Sequence, residues 1–146
     1  MGHRRKSREE TLRILFQIEF EDAELDKIVA QYWKNKKIHE EIKEYSTWLV
    51  SGIIAHKGEI DDTIQSVSEH WRISRMALVD RNILRMAVFE ILYEENIDSA
   101  VVINEAIEIA RKYSGDEAAT FVNGVLDAAR KKIKKAKEPL KEEEHD

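Results

Sequence analysis

The sequence predicts an all-α fold of about seven helices, in which two small bundles, residues 1–72 and 73–137, share one continuous core. Apolar residues recur at helical spacing along the chain, whereas no strand-like alternation persists. The only proline among the 146 residues is Pro139, and residues 138–146 are predicted to be a disordered tail. A chain of this length can bury roughly 70% of the surface that it exposes when unfolded, which suffices for one packed domain.

The first helix is predicted to begin at Ser7, because Ser7 and Glu10 match the Ser-x-x-Glu capping box. This start places Lys6 and Arg8 at the positive end of the helix dipole, where acidic side chains would be more stabilising. A phosphate ligand would explain cations at that position. The apolar face of this helix carries Leu12, Leu15, Phe16 and Phe20.

The next two helices are predicted at about 24–34 and 39–57, and a fourth follows immediately. Trp48 is expected to point inward from the third helix, and Gly58 is the expected C-terminal stop of that helix. The apolar set of the fourth helix is Ile60, Ile64, Val67 and Trp71. Residues 71–80 change in character and are expected to link the two halves.

The second half contains the clearest helical pattern, an apolar stripe over about 79–95. Ser99 is expected to cap the next helix, and Asp116 the last one. Gly124 lies within this last helix, where Gly costs about 1 kcal/mol relative to Ala. We therefore expect Gly124 to let another helix approach closely, and Asn123 to make a polar contact with a neighbouring helix.

Composition excludes several classes of protein. Hydrophobic residues make up 42% of the chain and charged residues 36%, which is typical of a charge-rich globular domain. The sequence has no apolar run long enough to span a membrane, and its N-terminus lacks the pattern of a secretory signal. The absence of cysteine excludes disulfides and thiolate chemistry, which favours a cytoplasmic protein.

No arrangement of residues indicates catalysis, a cofactor or a metal. The five histidines lack a metal-ligand spacing such as H-x-x-x-H. Gly-rich phosphate loops follow strands, and no strand is predicted. The G-x-S-x-G elbow of serine hydrolases is absent, and no titratable pair stands out as a general acid and base. We therefore expect that the protein is not an enzyme.

The distribution of charge indicates a nucleic-acid-binding end. Positions 1–8 hold no acidic residue and four basic ones, Arg4, Arg5, Lys6 and Arg8, whereas residues 9–129 are acidic overall. Such a basic arm suits the backbone of single-stranded RNA. The last helix is basic again at 130–137, which suits either a ligand or its own helix dipole. Arg81 and Arg85, one turn apart, suit either RNA or ion pairs with nearby acids.

Four segments resemble the NusB family of bacterial transcription antitermination factors: RRKSREETLRILFQIEF at 4–20, VDRNILRMAVFEIL at 79–92, VVINEAIEIARKY at 101–113 and FVNGVLD at 121–127. Residues 21–70 match only in length and helical character. The resemblance implies two three-helix bundles and no catalysis. It also implies a heterodimer with ribosomal protein NusE that binds boxA in nascent RNA. That pair would join an antitermination complex on RNA polymerase, notably on ribosomal RNA operons.

The same resemblance implies which residues form the sites. RNA contacts would fall on Arg4, Arg5, Lys6, Arg8, Arg85, Glu117 and Phe121. Phe121 would stack on a base, and Glu117 would accept a hydrogen bond from a base edge, although this family position is often Asp. Asp80 would lie nearest NusE.

Several alternatives stay open on the sequence alone. The chain could be a purely protein-binding helical adaptor without direct RNA contact, and Phe121 could be a core residue. An appendage of an RNA methyltransferase is a third alternative, against which the end of the chain at Asp146 counts. Apolar helix faces could also form a homodimer that hides the RNA surface.

Overall fold

The structure is a computed structural model that describes residues 2–138 and contains seven α-helices within that range. They are α1 (Gly2–Phe20), α2 (Leu25–Trp33), α3 (Glu40–Ala55), α4 (Lys57–Val67), α5 (Leu78–Tyr93), α6 (Ser99–Ser114) and α7 (Asp116–Lys137). A 3-10 turn at Ile73–Arg75 links α4 to α5. Residues 2–138 contain no strand, so the all-α prediction is confirmed. The predicted tail lies outside the described residues, except for Glu138.

The start of α1 differs from the prediction. The helix begins at Gly2 and runs through Ser7, whose buried hydroxyl donates to the carbonyl of Ile42 on α3 at 3.0 Å. The carboxylate of Glu10 accepts from Arg13 at 3.0 Å instead of closing a capping box. The predicted start was wrong because the Ser7 side chain packs against another helix rather than ending its own. Lys6 therefore lies in the second turn of α1 rather than beside its first backbone amides.

Three other helix ends also differ from the predictions. The break between α3 and α4 lies at His56, whose backbone (φ −112°, ψ 20°) leaves the helical region, and Gly58 lies inside α4. Asp98 rather than Ser99 caps α6, since its carboxylate accepts the amide of Ala100 at 3.0 Å. Gly115 rather than Asp116 occupies the N-cap position of α7, with φ +93°, a conformation that favours glycine.

Helix α5 is the centre of the core. Every residue from 82 to 90 is buried, because α1, α3, α4, α6 and α7 surround this helix. One continuous apolar cluster joins residues of both halves of the chain, including Leu15, Leu49, Leu84 and Leu126. The division into bundles 1–72 and 73–137 stays a prediction, and the shared core agrees with the continuity expected from the sequence.

Several aromatic residues that were expected to point inward are exposed. Phe16 is 49% exposed, Phe20 70%, Trp71 61% and Trp48 39%. Helical spacing placed them on apolar faces, but the neighbouring elements cover these rings only in part: Trp48 packs on Phe89 of α5, and Trp71 meets Phe121 of α7. Trp71 in particular follows α4, which ends at Val67, and so it does not continue the apolar face of that helix.

The close helix approach occurs at Gly52, not at Gly124. A Cβ atom on Gly52 would lie 2.0 Å from the ring of Phe89, so the missing side chain lets α5 pack directly on α3. No heavy atom lies within 4 Å of a Cβ placed on Gly124. Asn123 is exposed, and its side chain makes no hydrogen bond within residues 2–138. The packing roles expected of Gly124 and Asn123 are therefore wrong.

A buried ion pair joins α1 to α5. The Arg8 guanidinium donates from Nε to Glu90 Oε1 at 2.7 Å and from Nη2 to Glu90 Oε2 at 2.8 Å. Tyr45 on α3 donates to the same carboxylate at 2.6 Å, and Glu105 on α6 lies 3.4 Å from Arg8 Nη1. Burial alone would lower the pKa of Arg8, but its hydrogen bonds with Glu90 and the charge of Glu90 raise that pKa above its usual value.

We expect Arg8→Met to lower the free energy of unfolding by about 3–5 kcal/mol, because it leaves the Glu90 carboxylate buried without a counter-charge. Urea unfolding followed by circular dichroism measures the change. The double variant Arg8→Met/Glu90→Leu should recover most of the loss, because no charge then stays buried. Arg13→Met on the exposed side of α1 is the matched control and should cost less than about 1 kcal/mol. Equal losses for the two single variants would contradict this role of Arg8.

Candidate nucleic-acid interface

Two basic residues of the N-terminal arm are available at the surface. The Arg4 guanidinium carbon lies 3.6 Å from the centre of the Tyr45 ring, and Arg4 itself is exposed. The side chain of Lys6 is 47% exposed, with its Nζ 3.3 Å from the buried carboxylate of Glu10. No acidic residue occupies the first turn of α1. Positive side chains and the positive end of the helix dipole therefore coincide at this end of the molecule.

Arg5 and Arg8 point inward instead. Arg5 forms a bidentate ion pair with Glu105 on α6, with both N–O distances at 2.7 Å. The hydrogen bond with Glu105 raises the pKa of Arg5 and the same bond lowers the pKa of Glu105, so both groups stay charged. Arg8 is only 2% exposed. The assignment of Arg8 to an RNA contact is thus corrected, because Glu90 and Glu105 occupy its guanidinium.

Arg85 is also an internal residue. Its guanidinium donates to both carboxylate oxygens of Asp61 on α4, at 2.8 and 3.1 Å, and it is 6% exposed. Arg81 lies 3.9 Å from Glu19 and donates weakly to carbonyls of the linking segment. The ion-pair alternative therefore holds for both arginines, and the assignment of Arg85 to RNA is corrected on the same ground as that of Arg8.

Glu117 and Phe121 lie on the first two turns of α7. They are four residues apart and so share one face of the helix. Glu117 is exposed, whereas Phe121 is half-buried and packs partly against the core. The Phe121 ring meets the exposed Trp71 ring edge-on, with 6.2 Å between the ring centres. Trp71 was missed as a site residue, because its exposure depends on where α4 ends.

The N-terminal arm and the start of α7 lie near different turns of α6. Arg5 pairs with Glu105, and one turn further along α1 the carboxylate of Glu9 accepts from Lys112 at 3.1 Å. Long side chains therefore bridge α1 and α6, and the order of these contacts shows that the two helices run in the same direction. From Glu105 to Gly115 the helical rise is about 15 Å.

Asp80 directly follows Val79, which lines an apolar groove between α1, α5 and α6. It lies in the first turn of α5, and its Oδ1 is a buried atom with no hydrogen-bond partner within residues 2–138. The groove beside it is lined by Glu9, Leu12, Arg13, Phe16, Val79 and Tyr113. The exposed rings of Phe16 and Phe20, 5.0 Å apart, extend this apolar surface. A surface of this kind suits apolar side chains of another protein.

The basic C-terminal part of α7 suits either a ligand or the dipole of its own helix. Lys134, Lys135 and Lys137 lie in the last turn, where they complement the helix dipole, and all three are exposed.

None of the helices within residues 2–138 combines the length and apolar character that crossing a bilayer requires.

Comparison with known proteins gives consistent matches. The sequence profile of the NusB family matches residues 5–131 and so includes the segment 21–70. The transcription antitermination protein NusB of Anaeromyxobacter sp. (strain Fw109-5) is 43% identical over 125 residues, which cover 85% of this chain and 87% of that protein. A NusB structure from T. maritima superposes with a TM-score of 0.80 at 38% identity, covering 88% of this chain and 90% of the other.

A further solved structure contains the antitermination factors NusB and NusE in complex with double-stranded RNA. Its matching chain is 28% identical, with a TM-score of 0.78 over 90% of this chain and 98% of that chain. The family profile spans most of the sequence, and the relatives agree in both sequence and fold. The resemblance found in the sequence motifs is therefore confirmed, and this chain belongs to the NusB family of transcription antitermination proteins.

Proposed function

We propose that this protein pairs with ribosomal protein NusE and binds boxA-type single-stranded RNA. The pair then joins an RNA polymerase antitermination complex on ribosomal RNA operons. The supporting observation is its similarity, over nine-tenths of the chain, to a protein solved together with NusE and double-stranded RNA. The role requires binding surfaces but no catalysis, and it belongs to the cytoplasm, where bacterial transcription takes place.

The arm contributes the phosphate contacts in this proposal. Arg4 and Lys6 are exposed, and they lie at the N-terminal end of a helix without acidic residues in its first turn. Basic side chains and helix N-termini both attract phosphate. Arg5 keeps part of its surface exposed but shares its charge with Glu105. Arg4 and Lys6 therefore carry most of the electrostatic attraction of the arm.

The start of α7 contributes the base contacts. Phe121 and Trp71 form an aromatic pair whose exposed faces suit stacking of unpaired bases. Glu117 lies one turn before Phe121, where its carboxylate can accept a hydrogen bond from a base edge. Unpaired bases are free to stack on such rings, which favours a single strand as the ligand.

The groove beside Asp80 contributes the NusE contact. Phe16, Phe20 and Val79 offer apolar area, and Asp80 directly follows Val79 in the first turn of α5. Apolar side chains bordered by a hydrogen-bonding group are typical of protein interfaces. A homodimer is the competing occupant of this groove.

A purely protein-binding adaptor is the second candidate function. One observation favours it: Arg5 and Arg8 are engaged in ion pairs, so the arm offers fewer free cations than its sequence suggests. The dependence of RNA binding on salt distinguishes this candidate from the first, because an adaptor without RNA contact has no such dependence.

We expect boxA-type RNA to bind with a salt dependence set by the arm. Each phosphate neutralised on a single strand contributes about 0.7 to the slope of log affinity against log salt. Arg4→Ala/Lys6→Ala should therefore reduce the slope by about 1.4, whereas the control Lys27→Ala/Lys37→Ala, which removes two exposed lysines elsewhere, should leave it unchanged. Fluorescence anisotropy titrations of labelled boxA-type RNA measure the affinity at four salt concentrations, with and without NusE. The same titrations with duplex RNA serve as a comparison. Salt-independent or absent binding under all conditions would favour the adaptor.

We expect Phe121→Ala to weaken RNA binding by about 1–3 kcal/mol per folded molecule, because a stacked base loses its platform. Trp71→Ala should show a similar loss with little change in Tm, since Trp71 is exposed. Phe20→Ala, which removes another exposed ring, is the control and should retain RNA affinity. A lower Tm with unchanged affinity in Phe121→Ala would show that Phe121 serves the core alone.

We expect Phe16→Ser to weaken NusE binding by more than about 1 kcal/mol, because it removes an apolar anchor from the groove. Val101→Ser is the matched control, since Val101 has the same exposed fraction of 49% on a different helix. Isothermal titration calorimetry measures the affinity, and sedimentation of the free chain reports any homodimer. Equal NusE affinities for the two variants would place the NusE contact elsewhere.

A further inference from the structure

Two histidines and a glutamate from distant parts of the sequence meet at one surface. His3 lies in the first turn of α1, whereas His39 and Glu41 lie at the start of α3. The two imidazole rings are 4.2 Å apart between centres, and His3 Nδ1 lies 3.0 Å from Glu41 Oε2. One possible ligand atom from each residue lies within 4.8 Å of the other two. Residues 2–138 contain no other group of this kind.

We propose that His3, His39 and Glu41 bind a divalent transition-metal ion such as Zn²⁺. Two imidazole nitrogens and one carboxylate oxygen form a donor set that suits zinc, with water in the fourth position. The same set disfavours Mg²⁺ and Ca²⁺, which prefer oxygen ligands throughout. This inference concerns a ligand of the protein itself and does not depend on the function proposed above.

The three side chains can reach the distances that coordination requires. Zinc binds nitrogen at about 2.0–2.1 Å and carboxylate oxygen at about 2.0–2.2 Å, so donors within 4.8 Å of one another need to move only modestly. All three residues are exposed, and their side chains can therefore rotate without disturbing the core.

The existing contacts hold the ligands close together before any ion binds. His39 Nδ1 accepts the backbone amide of Glu41 at 3.2 Å, which positions the ring at the N-terminus of α3. The α1–α3 packing, including the hydrogen bond from Ser7 to Ile42, brings His3 to the same place. An ion here would tie the first turn of α1 to α3. It would also place positive charge beside Arg4, which lines the same surface depression.

Binding to the folded chain alone should raise its thermal stability, because a ligand that prefers the folded state shifts the unfolding equilibrium. The unfolded chain does not hold His3 near His39, which are 36 positions apart in sequence. Zinc should therefore raise Tm in the wild type and in any variant outside the cluster, but not in variants that remove a ligand.

The test is isothermal titration calorimetry of the full chain with ZnCl₂ in a non-chelating buffer, together with Tm measured with and without the ion. We expect one Zn²⁺ per chain, at least tenfold weaker binding in His3→Ala and in Glu41→Gln, and no binding of Mg²⁺. His70→Ala, which removes an exposed histidine outside the cluster, is the matched control and should bind zinc as the wild type does.

His39→Ala is less informative, because it also removes the N-cap of α3 and can destabilise the fold. The test therefore relies on His3→Ala and Glu41→Gln. Circular dichroism checks that each variant is folded. Absence of saturable zinc binding in the wild type would overturn the proposal. So would zinc affinity in His3→Ala and Glu41→Gln equal to that of His70→Ala.

Discussion

The buried contact between Arg8 and Glu90 is the polar contact around which four helices of the molecule meet. It joins α1 to the central helix α5, and Tyr45 and Glu105 bring α3 and α6 to the same carboxylate and guanidinium. Removing two charges from water is costly, and only bidentate geometry with further hydrogen bonds offsets that cost. The network therefore helps to fix the position of α1, on which the surface features at the N-terminal end depend.

The basic arm consequently has a structural side and an exposed side. Arg5 and Arg8 are three residues apart, so they share the face that meets Glu105, whereas Arg4 and Lys6 keep their charges at the surface. A count of cations along a helix thus overstates the charge that a ligand can meet. In an acidic protein, the two exposed cations and the helix dipole still make this end attractive to phosphate.

Exposed aromatic rings distinguish the two proposed binding surfaces. Phe16 and Phe20 border the groove between α1, α5 and α6, while Trp71 and Phe121 lie together near the start of α7. Phe16, Phe20 and Trp71 lie outside the apolar core, and Phe121 packs only partly against it. The separation of these surfaces is consistent with a protein partner and an RNA strand bound at the same time.

The sequence by itself determined the all-α class, the approximate extent of each helix and, through motifs such as FVNGVLD, the family. These follow from local periodicity and from short motifs, both of which depend only on residues close together in the sequence. Only the tertiary structure decided that Arg8 and Arg85 are internal, that Trp71 is exposed, that Gly52 rather than Gly124 admits a neighbour, and that His3 meets His39. Each of these depends on contacts between residues far apart in sequence, and such contacts exist only once the helices have packed.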